Sequence, residues 1–332
     1  LNEKCIVNHS CYFGATNDNY TEFDKLDKSR VCGIKLFMGS STGNMLVDHI
    51  PTLERIFAEA PLLIATHCED TPLINKNLAA FRQRYGEAIP PEAHPLIRSR
   101  EACFKSSSLA ATLARKYKSR LHILHLSTAE ETKLPDSGIR TQKQITGEVC
   151  VHHLWFNDQA YTSKGNLVKW NPAIKTEQDR LSLLKAVKEG RIDIIATDHA
   201  PHLLSEKNGP YTQAASGGPM IQHSLTVMLE LMEKGYFSLA EIVDRMCHAP
   251  ADLFHISQRG YLRKGYKADI CIFKKSPWTV TKDNLLYRCG WSPLENTSFT
   301  YQVQLTLVNG HKVYEKGTFY EDRKGELLLF ER

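Results

Sequence analysis

Six short apolar runs punctuate the first two hundred residues: Cys5–Asn8, Val31–Phe37, Leu62–Thr66, Leu121–His125, Glu148–His152 and Ile192–Thr197. Most are unbroken rather than alternating, the pattern of strands covered on both faces in a parallel sheet. Helices fit between and after them, over Pro51–Ala60, Glu101–Lys118, Thr176–Glu189, Met220–Lys234 and Leu239–Cys247. The third has Thr176 as N-cap, Asp179 in its first turn and Gly190 just past its end. Strands alternating with helices imply α/β architecture with right-handed crossovers. On this pattern alone a doubly wound sheet and a (β/α)8 barrel both remain open. After about Phe254 the texture changes to short alternating strands with Gly turns, and Val308-Asn309-Gly310-His311 reads as a type I′ hairpin. The expected organisation is an α/β body over residues 1–254 and a small β-rich unit over 255–332.

Composition narrows the class. The chain has 332 residues, 42% of them hydrophobic and 24% charged, enough for a large core. No apolar run approaches the roughly 20 residues that span a bilayer. The net charge of +5 comes from 42 basic and 37 acidic residues scattered along the chain, without a basic stripe, so neither nucleic acid nor membrane is expected as a partner. Nine irregularly spaced cysteines without a CxxC pair suit free thiols in a reducing compartment. The expectation is a cytoplasmic enzyme acting on a small molecule, and a homo-oligomer is compatible with it.

Polar, metal-competent residues close several of the apolar runs. Lys35 lies in "CGIKLFMGSSTG", His67 closes "LLIATHCED", His125 closes "LHILHLST", and Asp198 follows "IDIIATDHAPH". His152 and His153 end "GEVCVHHL". In α/β barrels the C-terminal strand ends converge on one mouth, where residues distant in sequence meet. Imidazole and carboxylate together suit zinc or a similar ion. Each residue also has a plainer reading. A single strand-end His is commonly a hydrogen-bonded structural residue, Lys35 is able to snorkel to the surface, and Cys68 reads as a buried small hydrophobe. The "GSSTG" stretch, Gly39–Gly43, lacks a Walker ending and reads as a loop. Four strand ends in one chain, with Asp-His-Ala-Pro-His, weaken the plain readings jointly.

With those residues in view, "IDIIATDHAPH" resembles the signature of dihydroorotases, in the cyclic-amidohydrolase group of the amidohydrolase superfamily. "KLFMGSSTG", "THCED", "LHILHLST", "VHHL" and "KWNPAIKTEQDR" agree in order, and "KGYKADICIF" and "LVNGHKVY" resemble that group's small β unit. The resemblance implies a (β/α)8 barrel with two divalent metal ions, zinc above all. It places the ligands as Lys35 (carboxylated by carbon dioxide) on strand 4, His67 on strand 5, His125 on strand 6 and Asp198 on strand 8. Asp198 would also carry the catalytic proton, while Asn171, His202 and backbone near Gly218 would contact substrate. His199 would orient Asp198 or serve structure alone, and His152 and His153 would pack behind the site. The implied reaction interconverts N-carbamoyl-L-aspartate and L-dihydroorotate in pyrimidine biosynthesis. Hydantoinase, dihydropyrimidinase or allantoinase chemistry is the alternative, as is a non-catalytic scaffold. Two departures stand out. No HxH pair occurs in these residues, so strands 1 and 2, that pair and an adjacent substrate-binding Arg are expected upstream of Leu1, unless the chain is a truncated, inactive relative. Lys175 also stands where many relatives have Arg, which alters any substrate contact there.

Overall fold

In a computed structural model that describes residues 3–41 and 43–332, two sheets account for the strands. The first is parallel, with β1 (Cys11–Gly14), β2 (Val31–Phe37), β3 (Ile64–His67), β4 (Leu121–Ile123), β5 (Ile145–Cys150) and β6 (Ile194–Ala196) side by side in chain order. A doubly wound sheet reverses its strand order at a switch point; this one does not. It also curls. Lys35 on β2 and Asp198 just past β6 would stand about 19 Å apart across four strand spacings of a flat sheet, yet each shifts the other's titration. Sequential order and curl together make this sheet a barrel wall.

Helices cover its outer face where the sequence expects them. The helix Arg100–Tyr117 starts on Ser99, whose hydroxyl accepts from the Ala102 amide at 3.3 Å. The helix Glu177–Lys188 carries a capping box: Thr176 Oγ1 accepts from the Asp179 amide at 3.2 Å while the Asp179 carboxylate accepts from the Thr176 amide at 3.3 Å. Gly190, at φ 75°, takes the left-handed turn beyond it. Over 239–247 the expected helix is regular only for Leu239–Val243 and widens into a π turn over Asp244–His248.

Two expectations need correction. Residues 5–8 form no strand of the wall; they lie against the far end of the chain, where the Gly325 amide donates to the Cys5 carbonyl at 2.8 Å and His9 bridges to Leu327. The first wall strand is instead Cys11–Gly14, whose Tyr12 and Phe13 pack edge-on against Phe254 and Phe23. Two adjacent aromatics, Tyr12 and Phe13, anchor this strand on its two faces, one against Phe254 and the other against Phe23. The helix Thr71–Tyr85 was not expected at all, although Asp70 caps it by accepting from the Leu73 amide at 2.9 Å and Pro72 sits in its first turn. Only Ile74 among its residues is buried, so it leaves almost no apolar stripe in the sequence.

The second sheet is antiparallel, in the order β10 (Thr318–Phe319), β9 (His311–Glu315), β8 (Ser298–Val308) and β7 (Ile270–Thr279). Asn309 and Gly310, at φ 54° and 80°, form the expected turn with two left-handed residues. Strand β8 docks on the helix Ser224–Glu233: the Thr300 amide donates to Glu230 at 3.0 Å and the Tyr301 hydroxyl to Glu233 at 2.7 Å. Phe299, Val280 and Leu294 join the same apolar cluster as the barrel wall.

That junction is pH-sensitive. His223 is fully buried against Trp278 and Phe299, its Nδ1 paired with the Tyr287 hydroxyl at 3.0 Å, and burial pushes its pKa down to about 4. An unfolded histidine titrates near 6.5. Above that pH both states are neutral and His223 contributes no pH dependence. Between about 6.5 and about 4 only the unfolded chain binds the proton, so stability falls as pH falls, by about 1.4 kcal/mol per pH unit. Urea unfolding at pH 7.5 and 5 should show this loss, and His223→Gln should reduce the slope by about 1.4 kcal/mol per pH unit, the other buried histidines keeping their share; an unchanged slope in that variant would contradict the assignment.

Candidate metal centre

The curled wall brings the strand-end residues to one place. His67, the last residue of β3, turns Nδ1 toward His125 Nε2, 3.1 Å away, and both rings are buried. Burial holds both imidazoles below the ordinary histidine range, and His125 lies lower still beside His67 and Lys35. They are therefore neutral and carry lone pairs. Lys35 does not snorkel. Its amine lies 4.4 Å from the Phe37 ring centre, and burial brings it down to about 8 against the opposing pull of Glu148 and Asp198. Asp198 is pushed up to about 6 by burial and by Glu148, with Lys35 opposing. His125 and Asp198 both sit at positive φ, 39° and 43°. Left-handed backbone at two non-glycine residues costs on the order of 1 kcal/mol or more each and marks positions that the surroundings over-determine.

Behind His67 stands a group the sequence reading overlooked. His67 Nε2 donates to Glu69 at 3.0 Å, and Glu69, fully buried, also accepts from Ser40 Oγ at 2.6 Å and from Arg98. Burial alone would raise the Glu69 carboxyl, but Arg98 and His67 hold it well below the usual range. A carboxylate on one imidazole nitrogen fixes the tautomer that leaves the other free for a cation. The "GSSTG" loop is thus a support through Ser40, while Thr42 lies outside the described residues. Glu148, a lone carboxylate in an apolar strand, is the second omission; it accepts from His122 Nε2 at 3.1 Å and faces Lys35 and Asp198. Its charge inside β5 was the available signal.

The donor set fits a divalent ion. Two nitrogens each about 2.0–2.1 Å from one tetrahedral zinc stand roughly 3.3 Å apart, close to the observed His67–His125 spacing. The outer nitrogen of His67 is already spoken for, and His125 Nδ1 has no protein partner.

The residues expected to touch substrate gather on one rim. Gly218 bridges to His199, next to Asp198. A Cβ on Gly218 would lie 2.6 Å from the Trp170 ring, so only glycine fits there. Asn171 follows Trp170 and turns a buried, unpartnered Oδ1 inward. His202 Nε2 pairs with the Ser216 carbonyl at 3.1 Å, and its own carbonyl accepts from Trp291 Nε1 at 2.8 Å. Lys207 Nζ staples this rim by donating to the carbonyls of Ala215 and Gly217, both at 2.8 Å, and of Lys169 at 3.2 Å. His199 Nδ1 accepts from the Met220 amide at 3.1 Å, which ties the Asp198 loop to the next segment and gives His199 a structural task. Lys175 points elsewhere, into a buried pocket with the Ala173 carbonyl at 2.9 Å and Ser127 Oγ at 3.4 Å. Cys68 is the buried thiol expected, donating to Thr66 Oγ1. His152, expected to close a strand, lies instead with His153 in the short helix Val151–Trp155 just after β5, and both are buried as expected.

Residues 52–313 match the model of the amidohydrolase family, about four fifths of the chain. The chain belongs to that family. The amidohydrolase is 31% identical over 297 residues to the dihydroorotase of Pyrococcus furiosus, covering 89% of this chain and 64% of that one. It is 30% identical over 299 residues to the dihydroorotase of Pyrococcus abyssi, covering 90% and 66%. It thus spans just under two thirds of the length of these curated relatives. In fold it is similar to an L-hydantoinase (dihydropyrimidinase) from Arthrobacter aurescens, with TM-score 0.90 at 23% identity over 99% of this chain and 75% of that one. A dihydropyrimidinase from Brevibacillus agri gives 0.83 at 20% identity, over 98% and 75%. No helix of the described residues is long and apolar enough to cross a membrane.

Proposed function

We propose that this amidohydrolase carries the strand-end metal centre and substrate rim of a dihydroorotase. The reading is supported most directly by His67 Nδ1 and His125 Nε2 meeting at 3.1 Å, with Lys35 near enough to lower both imidazoles and Asp198 acting in turn on Lys35. Kinship with the two dihydroorotases favours dihydroorotate as substrate over hydantoin or allantoin. The likeness to hydantoinase structures supports the shared fold alone.

Lys35 (as its carbamate), His67, His125 and Asp198 would supply these residues' share of the ligands for two divalent ions, zinc in our reading, the HxH pair that the resemblance implies lying outside them. Such ions, when bound, polarise an amide carbonyl and lower the pKa of water from 15.7 toward 7. An ammonium cannot ligate a cation, so Lys35 takes part only after its amine has taken up carbon dioxide. Its low-lying amine, shielded from solvent and seated on Phe37, suits that addition. Asp198 accepts the proton of the attacking water and returns it to the leaving amide nitrogen, and the reverse sequence closes the ring. Glu69, clamped by Arg98, keeps the His67 ring aimed inward. Asn171 and His202 bind the polar edge of the substrate, and backbone at Gly218 completes the rim. We assign the barrel wall to residues 1–254 and the small β unit to 255–332, and place the enzyme in the cytoplasm, in pyrimidine biosynthesis.

Side-by-side assays of dihydroorotate, hydantoin and allantoin, with elemental analysis of the same preparation, test this reading. Turnover of hydantoin alone would move the chain to the alternative class, and a metal-free preparation with none of the three activities would support a scaffold. His202→Ala addresses the rim. Because His202 would touch substrate and no metal, the variant should keep its metal and lose kcat/KM by about 1 to 3 kcal/mol, typical of one polar contact to a charged group. Loss of metal in His202→Ala would contradict the placement.

A further inference from the structure

We propose that Cys150, His152 and His153 form a separate metal-binding site, built for a zinc-class ion held by one thiolate and two imidazoles. Strand β5 ends at Cys150 in extended backbone, and the helix Val151–Trp155 begins at the next residue. That abrupt change gathers three side chains that a continued strand would separate. One ligand atom from each lies within 4.8 Å of the others, and all three residues are buried. In a tetrahedral zinc site sulfur and nitrogen ligands stand about 3.5 Å apart, so side-chain rotation of about an ångström closes the set.

The second observation is what these atoms lack. Neither ring nitrogen of His152 has a hydrogen-bond partner, although the residue is wholly enclosed. His153 Nε2 donates to the Pro172 carbonyl at 3.2 Å, which leaves Nδ1 with its lone pair and no partner. One nitrogen on a backbone carbonyl and the other free is the arrangement of a metal-ligating imidazole. Packing explains part of the site: the His152 ring stacks on Trp170 at 4.4 Å. Stacking leaves the ring's lone-pair nitrogen unused, and leaving a buried polar atom unpaired costs on the order of 1–3 kcal/mol. A bound cation would use those lone pairs and displace the thiol proton to solvent. The soft sulfur selects zinc-class ions over magnesium or calcium.

The site is independent of the substrate reading, and the centre at His67 and His125 contains no thiol ligand, so the two are separable by spectroscopy. The whole chain, stripped by chelator and reloaded with Co2+, should show a near-ultraviolet thiolate-to-cobalt charge-transfer band. Cys150→Ser should abolish that band, lose one equivalent of cobalt and keep the visible absorption of any cobalt at the other centre. His152→Gln, which leaves the thiol in place, should also lose one equivalent while its circular dichroism stays native. A cobalt-loaded, folded wild-type chain with no charge-transfer band would overturn the proposal, and this arm needs no variant to fold. A band that persists in Cys150→Ser would overturn it equally, by assigning the sulfur to another cysteine.

Discussion

Lys35→Ala is expected to lose most of its bound metal together with turnover, and a small carboxylic acid added in solution should restore part of both. The lysine is the only one of the four proposed ligands that must be chemically modified before it can bind. Its removal takes away an anionic bridge rather than an outer support. Outer supports typically cost about 10–100-fold in metal affinity or activity when lost, so this loss should exceed that range. The site should survive the truncation structurally, because its walls are set by the β2–β3 register that pairs Lys35 with Ala65 and Phe37 with His67 through backbone bonds. Elemental analysis and dihydroorotate hydrolysis on the same sample decide the matter. Undiminished metal and rate in Lys35→Ala would remove the lysine from the centre.

Asp198→Asn should be nearly as severe and different in kind. The amide keeps the shape of the side chain but neither accepts the proton nor offers an anionic oxygen. Positioned acid–base groups contribute about 10²–10⁴-fold, and the fall should appear in kcat with weaker metal retention alongside. The contrast with His202→Ala carries the information, since one variant should damage the centre and the other only the rim. If metal analysis and kinetics gave the opposite pattern, the division of labour within "ATDHAPH" would be wrong even with the family right.

How much of this was legible in the sequence depends on whether a residue announces itself by pattern or by partnership. The wall strands β2, β3, β4 and β6, the capping box at Thr176 and the turn at Asn309-Gly310 follow from local chemistry and appear in the structure close to where they are expected, whereas β5 starts three residues before the expected Glu148 and gives way to a helix after Cys150. His67 and His125 were nominated by their places at strand ends, and the curl of the sheet then joined them. Glu69, Arg98 and Ser40 leave no local signal, because none is unusual alone. Their importance lies in bonds between segments 29 and 58 residues apart, which no single window contains. The strand at Cys11–Gly14 is hidden for a related reason: residues 5–8 have a strand-like composition, but their backbone pairs with the far end of the chain rather than with the wall.

That meeting has a consequence for how the molecule is made. Residues 5–9 find their partners in residues 325–328, Asn8 reaches Asp269 and Asn309, and the Phe330 amide donates to the Ser29 carbonyl at 2.9 Å. During synthesis residues 5–9 cannot close this seam until residues 325–328 have left the ribosome. At roughly 5–20 residues per second this is a delay of some tens of seconds. Contacts of such long sequence separation form late and slow folding, so the nascent barrel wall would have to persist meanwhile with this seam unclosed. A helper that shields nascent apolar surface would matter most in that interval, and removing the pairing residues 325–328 should hurt yield more than their small number suggests.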